Sequence, residues 1–150
     1  MKKVLLLAFG LMTIHVLNAQ VKHPIEWTFT SKAIDGNTYE VSMSANIEDG
    51  WHIYSQSTPE GGPVPTAISF VKNPLVSLVG QPKEVGKLEQ RHEELFGVDV
   101  KQFSGKVVFV QVVKLKGKAK TALSGSVYFM TCNDHECLPP VTRKFEIALK

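Results

Sequence analysis

From residue 25 onward, apolar and polar positions alternate with a period of two along most of the chain. Ile25, Trp27 and Phe29 alternate with Glu26, Thr28 and Thr30; beyond an Asp35-Gly36-Asn37 turn, Tyr39, Val41, Met43, Ala45 and Ile47 alternate with Glu40, Ser42, Ser44 and Asn46. Residues two apart share one face of a strand, so the pattern predicts half-buried antiparallel strands. Asp49-Gly50 leads into a short strand over residues 51–54, in which Trp51 and Tyr54 read as core aromatics and His52 faces the opposite, exposed side. Residues 55–65 hold three prolines and two glycines and predict a long ordered loop. A strand through Ala67, Ile68 and Phe70 follows, then short strands over residues 75–79 and 85–88, broken at Gly80-Gln81-Pro82. Residues 107–115 are apolar on both faces, as a central strand covered on either side would be; residues 122–130 lead into the cysteines, and Val141, Arg143, Phe145, Ile147 and Leu149 close the chain. About eight or nine strands at short intervals, with no helical periodicity beyond the N-terminus, predict an all-β sandwich.

The N-terminus is different. Lys2 and Lys3 precede an apolar run over residues 4–16, and Leu17-Asn18-Ala19 suits a signal peptidase. Residues 1–19 therefore read as a secretory signal peptide, leaving a single domain over residues 20–150 with no cysteine nearby to take a lipid anchor. No later stretch approaches the roughly eighteen apolar residues of a membrane span. The expected product is soluble, periplasmic or secreted, in a compartment that permits disulfides. The formal charge of +3 loses two lysines and no acid with the signal, leaving 3 − 2 = +1, so nucleic acid is not an expected partner.

The chain has two cysteines, Cys132 and Cys137. Bonded to each other they close a ring of about six residues, which the loop-entropy relation makes worth roughly 2 kcal/mol, against nearly 5 for a hundred-residue loop. So short a ring is a poor staple, and four intervening residues are a common hairpin length. Pro139 and Pro140 remove two backbone donors directly afterwards, so the segment cannot continue as a central strand. The expectation is a stiff, surface-lying cysteine segment, open to an incoming thiolate and suited to thiol–disulfide exchange. A merely structural hairpin disulfide fits the same spacing.

The segment Tyr128-Phe129-Met130-Thr131-Cys132-Asn133-Asp134-His135-Glu136-Cys137-Leu138-Pro139-Pro140, with its Cys-x4-Cys-Leu-Pro-Pro core, resembles the N-terminal periplasmic domain of the thiol:disulfide interchange protein DsbD. The likeness runs over residues 25–149 and includes Gly50-Trp51-His52-Ile53-Tyr54 and His92-Glu93-Glu94-Leu95-Phe96-Gly97. Well-known members have five residues between the cysteines and an aromatic before the prolines, where this chain has Asn133-Asp134-His135-Glu136 and Leu138. The resemblance implies an immunoglobulin-like sandwich that relays electrons from a thioredoxin-like domain to oxidised periplasmic proteins. Cys137 would form the mixed disulfide with partners, Cys132 would resolve it, and Leu138 and Pro139 would contact the partner. A cap loop of Glu94, Leu95, Phe96 and Gly97 would shield the pair, with Phe96 as the shield. The family's transmembrane conduit is expected to be absent, so the donor would be a separate molecule and docking on a separate membrane conduit stays open. No cofactor is implied.

Other readings compete at particular residues. His135 could favour a thiolate, but Asp134 and Glu136 flank it, and a solvated turn residue explains it as well. Two thiols with His135, and Met130 or His92, form only a weak signature for a soft metal, and no metal site is assigned. Three functions in different classes follow: a redox carrier, which the resemblance favours; an exported binding module using the 55–65 loop, with the disulfide pinning a hairpin; and a metal chaperone.

Overall fold

The computed structural model describes residues 22–117 and 120–149, and the expected signal peptide lies outside them. Eight strands follow one another: β1 Ile25–Asp35, β2 Thr38–Ile47, β3 His52–Tyr54, β4 Ala67–Phe70, β5 Val76–Glu93, β6 Val98–Leu115, β7 Thr121–Cys132 and β8 Cys137–Leu149. Among the described residues no helix is long and apolar enough to cross a membrane. The strands run in the order β1-β2-β6-β3-β7-β4, with β5 added to β6 and β8 to β7, and every pairing is antiparallel.

β6 organises this immunoglobulin-like sandwich. Its C-terminal part pairs with β2 from Thr38↔Lys114 to Asn46↔Lys106, its N-terminal part pairs with β3 from His52↔Ser104 to Tyr54↔Gln102, and β5 follows its other edge. The sheet folds back so that β1 meets β7 and β8 across the core: Trp27 lies 5.2 Å from Phe129 and Phe29 lies 5.0 Å from Phe145, ring to ring. The alternation of β2 does what its sequence predicts. Tyr39, Val41, Met43, Ala45 and Ile47 are all buried, with Val107, Phe109, Val113, Leu123, Val127 and Ile147 opposite or beside them. Removing such side chains from water supplies the main drive for the fold.

Two expectations about strands change. The short strands over 75–79 and 85–88 are parts of one 18-residue strand, β5, and Gly80-Gln81-Pro82 forms a register shift between Val79 and Lys83 instead of a break. Gly80 has a φ of 69°, a left-handed conformation that glycine takes without strain, and a proline is tolerated where a bulge leaves its nitrogen unpaired. The charged stretch through Glu93 therefore stays in the ladder and carries the β5–β6 ribbon out to the cysteines. On β6, residues 107, 109, 111 and 113 are buried while 108, 110 and 112 are only half-buried, so one face of that strand is partly open.

Candidate functional site

β7 and β8 form a hairpin whose last pair is Cys132↔Cys137. The four residues between them turn tightly: Asn133 N–H donates to the Glu136 carbonyl at 2.9 Å, and the Asn133 side-chain oxygen accepts from the amides of His135 at 2.9 Å and Glu136 at 2.8 Å. An asparagine that bonds its own following amides needs no help from the rest of the chain to make this turn. The cysteine Cα atoms lie 4.1 Å apart and the sulfurs are bonded at 2.05 Å. Beyond them the register slips between Phe129↔Val141 and Thr131↔Leu138, so Pro139 and Pro140 together oppose Met130. A bulge on a strand paired only to β7 is where two missing amide donors do least harm.

The disulfide does not lie open on the surface as the spacing suggests. Cys132 is fully buried and Cys137 half-buried. The reason lies in the two faces of β7. Leu123, Val127, Phe129 and Thr131 point to the main core, and Cys132 and Met130 point to the other side. On that side a second, small cluster forms from Tyr54, Val100 and Cys132, with Val98, Met130 and Cys137 packed against it. Tyr54 and His52 belong to the same face, because Ile53 between them enters the main core. His52 is thus buried, at 5% exposure, and not the exposed residue that alternation predicts. The end of the β5–β6 ribbon occupies the space where solvent was expected.

That ribbon also supplies charge. The Tyr54 hydroxyl donates to the Glu93 carboxylate at 2.9 Å, His52 Nε2 lies 3.0 Å from the Tyr54 oxygen, and the same nitrogen is 3.4 Å from Glu93. Burial holds the His52 imidazole below its ordinary pKa of 6.5, with Glu93 pulling the other way. Burial, and then Glu93, hold the Tyr54 phenol above its usual range, so it remains a neutral donor. The clue in the sequence was the x-His-x-Tyr spacing, which puts two polar aromatics on one strand face, but nothing in it said that the face was covered.

Two ion pairs tie the cysteine turn to its surroundings, Lys22 to Glu136 and Arg91 to Asp134 at 3.8 Å. His135 is exposed in that turn. The residues expected to form a cap occupy the β5–β6 turn, where the amides of Phe96 and Gly97 both donate to the Glu93 carbonyl and Gly97 takes a φ of 67°. Glu94 and Leu95 line a cavity of about 260 Å³ with His52, Glu93, Gln102 and Asp134, so this turn and the cysteine turn share one wall. Phe96 is half-buried, and the side chains from this region inside the disulfide cluster are Val98 and Val100. On the other flank, Leu138 and Pro139 line an apolar groove of about 490 Å³ with Ile25, Phe129 and Val141. Among the described residues no three His, Cys, Asp or Glu side chains are arranged to hold a metal ion.

A search of curated proteins gives no match to this chain. Among solved structures, the N-terminal domain of DsbD from Neisseria meningitidis in the reduced form superposes with a TM-score of 0.56 at 18% identity, over 83% of this chain and 85% of that one. The N-terminal periplasmic domain of ScsB from Proteus mirabilis gives 0.52 at 16% identity, over 83% of this chain and 44% of that one. At these identities the likeness speaks for the fold, and it agrees with the all-antiparallel immunoglobulin-like architecture. The family model for the N-terminal domain of the thiol:disulfide interchange protein DsbD matches residues 20–149, essentially the whole domain, and the chain accordingly belongs to that family of thiol–disulfide exchange domains.

Proposed function

We propose that this protein is an exported redox carrier that passes reducing equivalents from a thioredoxin-like donor to oxidised envelope proteins through Cys132 and Cys137. The observation that carries the assignment of roles is the unequal burial of the two cysteines: Cys137 is half-buried and Cys132 is wholly covered. In the oxidised protein a donor thiolate attacks Cys137 Sγ and displaces the Cys132 thiolate; a second donor thiol then releases the reduced pair. In the reduced protein Cys137 attacks the partner's disulfide and Cys132 resolves the mixed disulfide. Residues 1–19 act as the signal peptide and residues 20–150 as the mature domain.

The same reading gives work to the flanks. Glu94, Leu95, Phe96 and Gly97 form the cap at the end of a ribbon whose valines pack against the pair. The groove beside Leu138 and Pro139 receives an apolar side chain next to the partner's cysteine, and Arg143 on its rim favours an acidic neighbour, Lys22 being paired with Glu136. The test is trapping. Reduced Cys132→Ser protein mixed with an oxidised thioredoxin-like domain should accumulate a stable mixed disulfide through Cys137, and Cys137→Ser should accumulate little. Equal trapping by the two variants would remove the assigned roles, and no trapping by either would remove the carrier.

A further inference from the structure

A buried thiol is a poor nucleophile. Burial in general disfavours a thiolate, and in the carrier reading it is Cys132, fully covered in the oxidised protein, whose sulfur must attack Cys137 to release the partner. Some group has to accept the proton. Cys132 sits in β7 directly opposite His52 in β3. Directly paired residues of antiparallel strands project to the same face with Cβ atoms roughly 5 Å apart, so the His52 and Cys132 side chains start from neighbouring points on one face.

The hydrogen bonds around the ring define which nitrogen is basic. The Tyr54 hydroxyl has one proton, and it goes to Glu93. Tyr54 oxygen can therefore only accept from His52 Nε2, 3.0 Å away. Nε2 carries the hydrogen and Nδ1 keeps a free lone pair. Once Nδ1 takes a proton, the imidazolium lies with its Nε2 3.4 Å from the Glu93 carboxylate, which stabilises the charge. A carboxylate that fixes a histidine's tautomer and then balances its charge is the arrangement by which hydroxyl and thiol nucleophiles are activated elsewhere. The other groups facing His52 are Arg91 on β5, Asp134 in the cysteine turn and Gln102 on β6, with His92 and Glu94 around the same cavity. That cavity gives a proton held on His52 a way out to solvent.

Building on the carrier reading, we infer that His52 is the general base for the resolving step, accepting the Cys132 thiol proton as Cys132 attacks Cys137, with Glu93 positioning it through Tyr54. The step balances. The Cys132–Cys137 bond forms, the bond between Cys137 and the partner breaks, the partner leaves as a thiolate that is then protonated, and the proton on His52 passes to solvent. Over the whole reaction the carrier dithiol loses two electrons and two protons, and the partner disulfide gains them.

An aromatic disulfide that releases a coloured thiolate separates the steps. With the reduced protein in stopped flow, the first equivalent of colour reports attack by Cys137 and the second reports resolution by Cys132. His52→Phe should slow the second phase about 100-fold near neutral pH, the usual scale for a lost general base, and leave the first within a few-fold. The wild-type second phase should fall on acidification, and in His52→Phe that limb should be absent. Glu93→Gln, which still accepts from Tyr54, should preserve the fold, slow the second phase and move its acid limb to lower pH, because Glu93 raises the affinity of His52 for protons. An unchanged second phase in His52→Phe, equal slowing of both phases, or an unmoved acid limb in Glu93→Gln would each overturn the inference. Failure of the carrier reading looks different: both coloured phases persist as expected, but no exchange occurs with a thioredoxin-like domain.

Discussion

Reducing the Cys132–Cys137 bond should lower the stability of the fold by only about 2 kcal/mol. The bond joins residues 5 apart in sequence, and a six-residue ring in the loop-entropy relation corresponds to about 7 cal/mol/K of chain entropy, or about 2 kcal/mol at room temperature. The main core contains neither cysteine, so its packing is untouched by reduction. With an unfolding entropy of about 2.1 cal/mol/K per residue, a domain of roughly 130 residues has about 0.27 kcal/mol/K at the transition, and the midpoint should drop by about 8 °C. The asparagine-closed turn and the β7–β8 ladder remain to hold the two thiols near one another.

The measurement is thermal unfolding of the mature domain, oxidised and fully reduced, with free thiols counted before and after each scan. A carrier must stay folded in both redox states, because each is half of its working cycle. A reduced protein that loses its cooperative transition, or melts more than about 20 °C lower, would mean that the bond is a structural staple. The reasoning from ring size would then be refuted together with the carrier.

Three further outcomes follow from the buried network and the cap. Tyr54→Phe removes the hydroxyl between His52 and Glu93, leaving two largely buried polar groups without it, and should destabilise the protein by about 1–3 kcal/mol in urea titration; a change near zero would mean that water replaces the hydroxyl. Because burial depresses the His52 pKa in the folded state, the unfolded chain binds more protons below about pH 6.5; stability should be full above that value, fall as pH drops toward the folded pKa and level off beneath it. His52→Gln should flatten that segment of the stability–pH curve, and an unchanged slope would assign it to another histidine. Phe96→Ala should speed the reaction of the oxidised pair with a small thiol if the β5–β6 turn is the cap, and an unaltered rate would remove Phe96 from that role.

Much of this is legible in the amino-acid sequence, and the missing part has one physical origin. Period-two alternation reports which residues share a face and which face is apolar, so β1, β2, β7 and β8, each with one face on the main core, were plain. It does not report what lies against the second face. His52 and Tyr54 sit opposite Ile53, and a polar histidine on that side reads as solvated unless the long ribbon covering it is foreseen. Gly80-Gln81-Pro82 hid the ribbon, because a glycine and a proline inside a strand look the same in sequence whether they end it or bulge it. The cysteines were located by their own chemistry, the spacing gave the hairpin, and the turn formed as expected with Cys132 and Cys137 as its closing pair. Their unequal burial was not legible, since it depends on Val98 and Val100 arriving from a strand more than thirty residues earlier.

In the carrier reading, the two-cluster arrangement would let one small sandwich stay rigid and still expose a covered sulfur. The disulfide cluster is separate from the main core and contains few side chains, with Val98 and Val100 its only members from the β5–β6 ribbon. In the carrier reading, lifting these two valines off the cysteines would lose about 1.5 kcal/mol of apolar burial each, roughly 3 kcal/mol in all, and about 1–3 kcal/mol more for the buried Tyr54–Glu93 hydrogen bond, because Glu93 pairs with Val98 and moves with it. The Arg91–Asp134 pair that bridges ribbon and turn is about 55% and 72% exposed, so it adds little to that barrier. A partner that covers the same valines as it docks recovers the apolar part of that loss. Its binding can therefore select the open form without a separate energy source. No comparable opening is available through β2 or the C-terminal part of β6, where displacement would uncover Met43, Phe109 and their neighbours together. On that reading, placing the sulfurs on the outer face of β7, under a ribbon end, confines the moving part to a region whose displacement a protein–protein contact can offset.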